Sequence, residues 1–281
     1  MVFYPTMLGT PMSSVGAPGG TSRRVSVQNQ LEDNVIAALP AGSVWLDVDT
    51  LYNTTAQTWT DRKSGIVFPR ISGAMPAKST GGQNGKAFVQ WITDTVFAGP
   101  AGTAIWPTAA DFTAVAIMAS ATPDTSGGNG ALLGNGRIST TQSAGVATGG
   151  SYALSFNSTN SILAMQEGSA VATAEIQTAA GDCAGPNTYL WAMSRAYAEN
   201  TAAIIRNNTT LKTNTGLTRH NENERLIVGA GGFDGTTYDR KLRNARIYQI
   251  MFVRGLALHK SDGAPLLAAI QAYANAKYAL Y

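Results

Sequence analysis

Charge is scarce in this sequence. Lys, Arg, Asp and Glu supply 13% of its 281 residues, against about 25% in an average globular protein. The two signs nearly cancel, leaving a net charge of +3. That balance does not suit a nucleic-acid-binding protein, which needs a basic face. Ser, Thr, Asn, Gln and Gly must then cover much of the surface, the habit of extracellular and particle-bound β proteins. The low charge also hints that other chains cover part of it. Cys183 is the sole cysteine, so an intrachain disulfide is excluded. The two histidines, His220 and His259, are far apart and lack metal-ligand spacing, so zinc is not expected. No stretch approaches the roughly 18 apolar residues of a membrane-spanning helix. The first residues, MVFYPTMLGTPMSS, have neither the basic start nor the apolar run of a secretion signal. Synthesis in a cytoplasm is expected, with exit from a cell, if any, by another route such as lysis.

What the sequence has is apolar mass in short runs. Hydrophobic residues reach 44%, enough for the core of one large β domain with extensions. The organising stretch is 225–255, which reads as strand, glycine loop and long central strand. Leu226, Ile227 and Val228 form an apolar run that stops at Gly229, and Gly231, Gly232 and Gly235 permit tight turns. Residues 245–253 are the longest run of strand formers. Alternation puts Ile247, Met251 and Val253 on one face and Tyr248, Ile250 and Phe252 on the other, so both faces are apolar. A sheet open to water on one side does not show this, and something must cover the outer face. The pattern over 261–278 predicts a helix that can do so, with Ser261 or Asp262 as cap and Pro265 in the first turn.

Ahead of these lies an arm, 1–42, rich in Pro and Gly at its start and carrying a short helix over 29–39, where Leu31, Val35 and Leu39 are four apart. Further strands are predicted at 43–49, 86–92, 111–119, 131–133, 151–157, 161–166, 171–177, 188–195, 202–206 and 209–212, with a hairpin over 58–70 and an Asn207-Asn208 turn. The division is thus an arm (1–42), a sandwich (43–260) and a C-terminal helical segment (261–281).

Several motifs occur in a telling order. They are Trp59-Thr60-Asp61-Arg62-Lys63-Ser64-Gly65, then Asp111-Phe112-Thr113-Ala114-Val115, then Tyr189-Leu190-Trp191-Ala192-Met193 with Ala203-Ile204-Ile205-Arg206-Asn207-Asn208, and finally Leu226-Ile227-Val228-Gly229, Phe233-Asp234-Gly235 and Ala245-Arg246-Ile247-Tyr248. This series resembles the concanavalin A-like, laminin-G-type jelly-roll domains over about 43–260, with an insertion at 236–244. The resemblance implies an all-β fold, a two-sheet antiparallel jelly-roll sandwich. Such domains behind a Gly/Pro-rich arm are similar to those on tailed-phage virions. The resemblance therefore implies a non-enzymatic virion structural protein (head decoration, head fibre or tail-associated) with a carbohydrate-binding face, docked on other virion proteins through 1–42 and assembled as a homo-oligomer. The alternatives are a tail or fibre adhesin for host polysaccharide and, behind it, a glycoside hydrolase or lyase of the same fold.

Chemistry-bearing patterns are thin. Hydrolases of this fold class carry alternating carboxylates similar to E-x-D-x-x-E on one strand face, and no such spacing occurs. Glu222-Asn223-Glu224 lacks the third member, and Asp47-Val48-Asp49 reads as a capped strand end before it reads as an acid pair or metal site. Cys183 reads as an inert thiol. The glycine-rich stretches lack the Lys of a phosphate loop. No cofactor is expected; calcium is weighed on Asp124, Asn129, Asp234 and Asp239, which form no contiguous motif. A sugar would need an aromatic platform with amide and carboxylate partners, for which Trp106, Asn135, Tyr238 and Asp239 are the candidates. Trp91 belongs to an apolar strand and is expected in the core. Arg240-Lys241-Leu242-Arg243 with Arg246 is the densest basic cluster and reads as a solvated rim.

Overall fold

The structure, a computed structural model, describes residues 26–91, 94–100, 103, 105–107, 109–120, 129–134, 151–157, 162–168, 175–183, 185–215, 225–230, 232–233, 238–239, 242 and 245–280. The chain opens with helix α1 (Val27–Ala38), strand β1 (Val44–Asp47), the single-turn helix α2 (Val48–Leu51), β2 (Tyr52–Asn53), β3 (Thr58–Thr60), β4 (Val67–Ser72), β5 (Lys78–Ser79), β6 (Phe88–Trp91) and β7 (Val96–Ala98). It continues with β8 (Phe112–Ser120), β9 (Asn129–Gly134), β10 (Ser151–Asn157), β11 (Ile162–Gly168), β12 (Glu175–Gln177), β13 (Tyr189–Ala196), β14 (Thr201–Arg206) and β15 (Thr209–Thr215). It closes with β16 (Ile227–Val228), β17 (Gly232–Phe233), β18 (Tyr238–Asp239), β19 (Ala245–Arg254) and helix α3 (Ala264–Tyr278).

Two large antiparallel sheets form the body. One runs β15-β14-β13-β8-β19-β6-β5, with β1 also paired to β19; the other runs β12-β11-β10-β9-β16-β7-β4-β3-β2. This is the jelly-roll sandwich expected from the sequence, with the C-terminal helix in place. The insertion after the Phe-Asp-Gly turn contributes β18, which pairs with β17 as a small ribbon.

A two-residue period sorts the first sheet into two apolar faces. Phe112, Trp191, Met193, Ile204 and Phe252 face the second sheet and share one core with its Trp59, Phe68 and Phe97 and with Trp106 from the segment after β7. Val115, Ile117, Leu190, Ala192 and Ile205 face the other way and are covered by Val35 of α1, by Leu39 just after it, and by Leu266, Ile270 and Tyr273 of α3. Each large side chain buried this way contributes roughly 2–3 kcal/mol, so the helices form a third layer that the exposed sheet face demands. Residues 27–38, read above as part of an arm, therefore belong to the body and pack against α3.

The faces of β19 differ from simple alternation. Ile247 lies with Ile250 and Phe252 in the inner core, while Tyr248 lies with Met251 and Val253 under the helices. The register against β8 shifts between Ile247 and Gln249, and this bulge inserts one residue, which reverses the side on which Ile247 and Tyr248 project. The start of α3 also differs. Gly263, not Ser261 or Asp262, is the cap, and it makes no side-chain capping bond. A Cβ at Gly263 would stand 2.3 Å from the Ala257 carbonyl oxygen, so close backbone approach, rather than capping chemistry, sets this helix entry. The other end is closed from the β5–β6 loop, where Asn84 Nδ2 donates to the Lys277 carbonyl (2.9 Å) and Gln83 Nε2 to that of Ala279 (3.0 Å).

Candidate functional site

The Trp-Thr-Asp-Arg-Lys-Ser-Gly motif is a structural clamp. Asp61 directly follows β3, is 1% exposed, and accepts hydrogen bonds from the backbone N–H of Trp45 (2.6 Å), Ser64 (2.7 Å) and Lys63 (3.2 Å) and from the Ser64 hydroxyl. It thereby ties β1 to the β3–β4 turn. Arg62 reaches Asp47 (2.9 Å) and Glu32 of α1, and its guanidinium lies 5.6 Å from the Trp45 ring. Lys63 Nζ donates to the carbonyls of Ile36 and Leu39 at the end of α1, where a cation also complements the helix dipole.

Asp47 and Asp49 do not share a strand face. β1 stops at Asp47, whose carboxylate caps α2 by accepting from Asp49 N–H (3.0 Å) and Thr50 Oγ1 (3.2 Å). Asp47 is fully buried and also meets Lys277 Nζ of α3 at 3.2 Å. The capped strand end foreseen from the sequence is what the structure holds, with a buried ion pair added.

His259 heads a hydroxyl network. Its Nδ1 is 2.7 Å from Ser194 Oγ and its Nε2 3.1 Å from Thr201 Oγ1, and Ser194 in turn meets Thr113 Oγ1 at 3.1 Å. Burial, with the Lys260 ammonium beside it, lowers the His259 pKa from 6.5 to about 4. The Ser–His pair has nucleophile spacing, but Ser194 is fully buried, and the network fixes the 256–259 segment by receiving the N–H groups of Leu258 (3.0 Å) and His259 (3.2 Å).

The sugar-site candidates fare unevenly. Trp106 is no exposed platform: it is 1% exposed, its indole N–H donates to the Gly134 carbonyl (2.9 Å), and its ring meets Phe112 at 4.8 Å and Phe252 at 4.6 Å. Its bulk completes the core between the sheets, which outweighs the exposure that the following Pro107 suggested. Trp91 is buried as expected and donates to the Thr95 carbonyl (3.2 Å). Tyr238 and Asp239 lie in β18, but their side chains fall outside what is described, and Asn135 lies outside the described residues altogether. Among the described residues no three His, Cys, Asp or Glu side chains stand close enough to hold a metal. Of the calcium candidates, Asp124 and Asp234 lie outside the described residues, as do His220, Glu222-Asn223-Glu224, Arg240, Lys241 and Arg243. Leu242 is buried, and Arg246 lies over the Phe88 ring at 5.4 Å.

A cleft that sequence reasoning did not find lies where the edge strands of the two sheets, β12 and β15, come together. Gln177, Thr178, Ala179, Asp182, Leu211 and Lys212 line a volume of about 560 Å³, within the range of small-molecule sites. The β14–β15 register shifts between Ile204 and Ile205, so Leu211 is a bulge residue, and it packs on the inner core. Asp182 holds the 179–182 turn by accepting from Ala179 N–H (2.8 Å). Arg206 stands beside it, with Nη1 3.3 Å from the Asp182 carbonyl oxygen and 3.7 Å from its carboxylate. The guanidinium lies 5.2 Å from the Tyr189 ring and 5.7 Å from Trp191. Cys183, next in sequence, is buried and forms no disulfide. The lining offers hydrogen-bond donors and acceptors, a patch of aliphatic surface and a single carboxylate. The signal that could have found it is the Arg after the apolar run 202–205, set before Asn207, whose positive φ of 53° turns β14 back into β15.

No protein-family model matches the chain, and no curated protein matches it in sequence. Solved structures do resemble it. Trypanosoma rangeli sialidase in complex with sialic acid aligns with a TM-score of 0.50 at 15% identity, over 86% of this chain and 37% of that one. A botulinum neurotoxin type C structure, described by its interaction with two ganglioside molecules, aligns with a TM-score of 0.48 at 10% identity over 84% and 52%. The CBM40 of a Ruminococcus gnavus IT-sialidase aligns with a TM-score of 0.43 at 12% identity over 57% and 83%. The chain spans less than two fifths of the sialidase, and at these identities the likeness is one of fold alone.

Proposed function

We propose that this chain is a non-enzymatic structural component of a tailed-phage virion whose sandwich binds a saccharide in the β12–β15 cleft. The observation that carries the binding role is the lining of that cleft: amide, hydroxyl, ammonium and carboxylate groups around the side chain of Leu211, at one open edge of the sandwich. Sugars offer the matching surface, hydroxyls around aliphatic ring carbons. The non-enzymatic part rests on Asp182 being the one carboxylate in the lining, where glycoside hydrolysis uses a pair about 5–9 Å apart. The strands agree, since no described strand carries two carboxylates. The virion reading draws support from the scarce charge and the Pro/Gly-rich start.

The test is binding of purified chain to host-surface polysaccharide, with release of reducing ends followed in the same samples. Retention without depolymerisation is expected. Ala179→Trp, a substitution at an exposed lining residue, should fill the cleft and abolish retention while leaving the melting midpoint in place. Steady release of reducing ends would favour the hydrolase reading instead, and retention undisturbed by Ala179→Trp would move the site elsewhere.

A further inference from the structure

The cleft's charges point to the kind of saccharide, an inference that rests on the saccharide-binding reading above. We propose that the ligand carries an oxyanion, a carboxylate or sulfate, received by Arg206 and Lys212. One acid stands against two bases here: Asp182 and Lys212 line the cleft, and Arg206, outside the lining, stands beside Asp182. The acid does not consume the guanidinium. Its carboxylate lies 3.7 Å from Arg206 Nη1, beyond the roughly 2.7–2.9 Å of a charge-assisted hydrogen bond, and it accepts the backbone N–H of Ala179 at 2.8 Å. Arg206 is nonetheless held in place. Two rings set 77° apart, Tyr189 and Trp191, stand within 6 Å of the guanidinium. A planar guanidinium held this way is pre-organised to donate two parallel N–H groups to a pair of oxygens of one oxyanion, and 31% of the Arg206 side chain remains exposed. Lys212, exposed beside the bulge of an edge strand, adds a point charge to the cleft lining. A neutral sugar would instead use Asp182 as a hydroxyl acceptor, so the two ligand classes require opposite things of that carboxylate.

That opposition gives the experiment. The purified full-length chain is applied to an array of uronate-bearing, sulfated and neutral oligosaccharides, and hits are titrated against wild type, Lys212→Glu, Arg206→Lys and Asp182→Asn. Uronates or sulfated sugars are expected to bind more tightly than neutral ones. Lys212→Glu should weaken them about tenfold, as a reversed exposed charge implies. Arg206→Lys, which keeps the charge but loses the planar fork, should weaken them severalfold. Asp182→Asn, which keeps an acceptor for Ala179 N–H, should strengthen them. If neutral sugars bind best and Asp182→Asn weakens them, the oxyanion inference is overturned while the cleft remains a saccharide site. Anionic binding indifferent to Lys212→Glu and Arg206→Lys overturns the inference as well. Absence of binding to any class overturns both readings. Preferring uronates to sulfates, or the reverse, supports the inference and names the source of the oxyanion.

Discussion

The side chains with the most at stake are charged groups inside the protein. Lys277 is 2% exposed and Asp47 0%, so each depends on the other for compensation, yet their positions are not equivalent. Asp47 also receives Arg62, Thr50 and the N–H of Asp49, whereas Lys277 otherwise has Asp49 at 3.7 Å and two aromatic rings. Asp47→Asn therefore leaves a buried ammonium with only the longer contact to Asp49 and should cost about 3–5 kcal/mol in urea unfolding. Lys277→Met removes the group that needed compensation while Arg62 still serves Asp47, and should cost less than about 2 kcal/mol. The double variant should recover much of the loss. Equal costs for the two single variants would mean that the pair is not the unit described here. His259 gives a pH counterpart. Its pKa is lowered in the fold, so the folded state favours the neutral ring. The stability this provides is fully present above the unfolded value near 6.5 and is lost as pH falls toward about 4. The ring is only partly buried, so solvent screening trims the effect. From pH 7 to pH 4 the melting midpoint of wild type should fall a few degrees further than that of His259→Asn, both followed by circular dichroism. Parallel curves would exclude the histidine as the source.

Among the elements, those the sequence announced have their reasons inside a short window. The 58–70 hairpin turns at Gly65, which has a φ of +75°, and the Asn207-Asn208 turn uses the asparagine tolerance for left-handed backbone. β13 alternates large and small residues because one of its faces meets the inner core and the other the helices. The apolar excess of β19 correctly demanded a cover, and α1 and α3 provide it. What escaped the sequence depends on partners remote along the chain. The bulge at Tyr248 is visible only against β8, and without it the assignment of faces inverts for Ile247 and Tyr248. Trp106 is drawn inside by Phe112 and Phe252, and no local pattern says so. The cleft is more remote still, since it is assembled by the meeting of two sheet edges whose strands are over thirty residues apart. By contrast, the clamp around Asp61 was visible as a motif while its work was not, because its partners, Trp45, Glu32 and the end of α1, lie on other elements.

For the molecule as a whole, the helix layer changes the reasoning about partners. A central strand apolar on both faces had suggested a neighbouring subunit, but α1 and α3 cover that sheet from within the chain, so the strand no longer argues for one. The case for neighbours then falls on the scarcity of charge and on the stretch before α1. That helix begins with its own cap, Ser26, whose hydroxyl accepts from Asn29 N–H at 3.1 Å, and among the described residues both cores are built from α1 and the elements that follow it. Two properties should therefore separate when residues 1–25 are removed. The purified body should keep its melting midpoint and its saccharide binding, because α1 carries its own cap and the described lining of the cleft comes from Gln177, Thr178, Ala179, Asp182, Leu211 and Lys212. Particles assembled with only the shortened chain should lack it, as mass spectrometry of purified virions against those carrying the full chain would reveal. Incorporation at full copy number would defeat docking through the arm, and absence of the full-length chain from particles would defeat the virion assignment itself. A fall in the melting midpoint would point to a third arrangement, in which the first residues belong to the body that α1 closes.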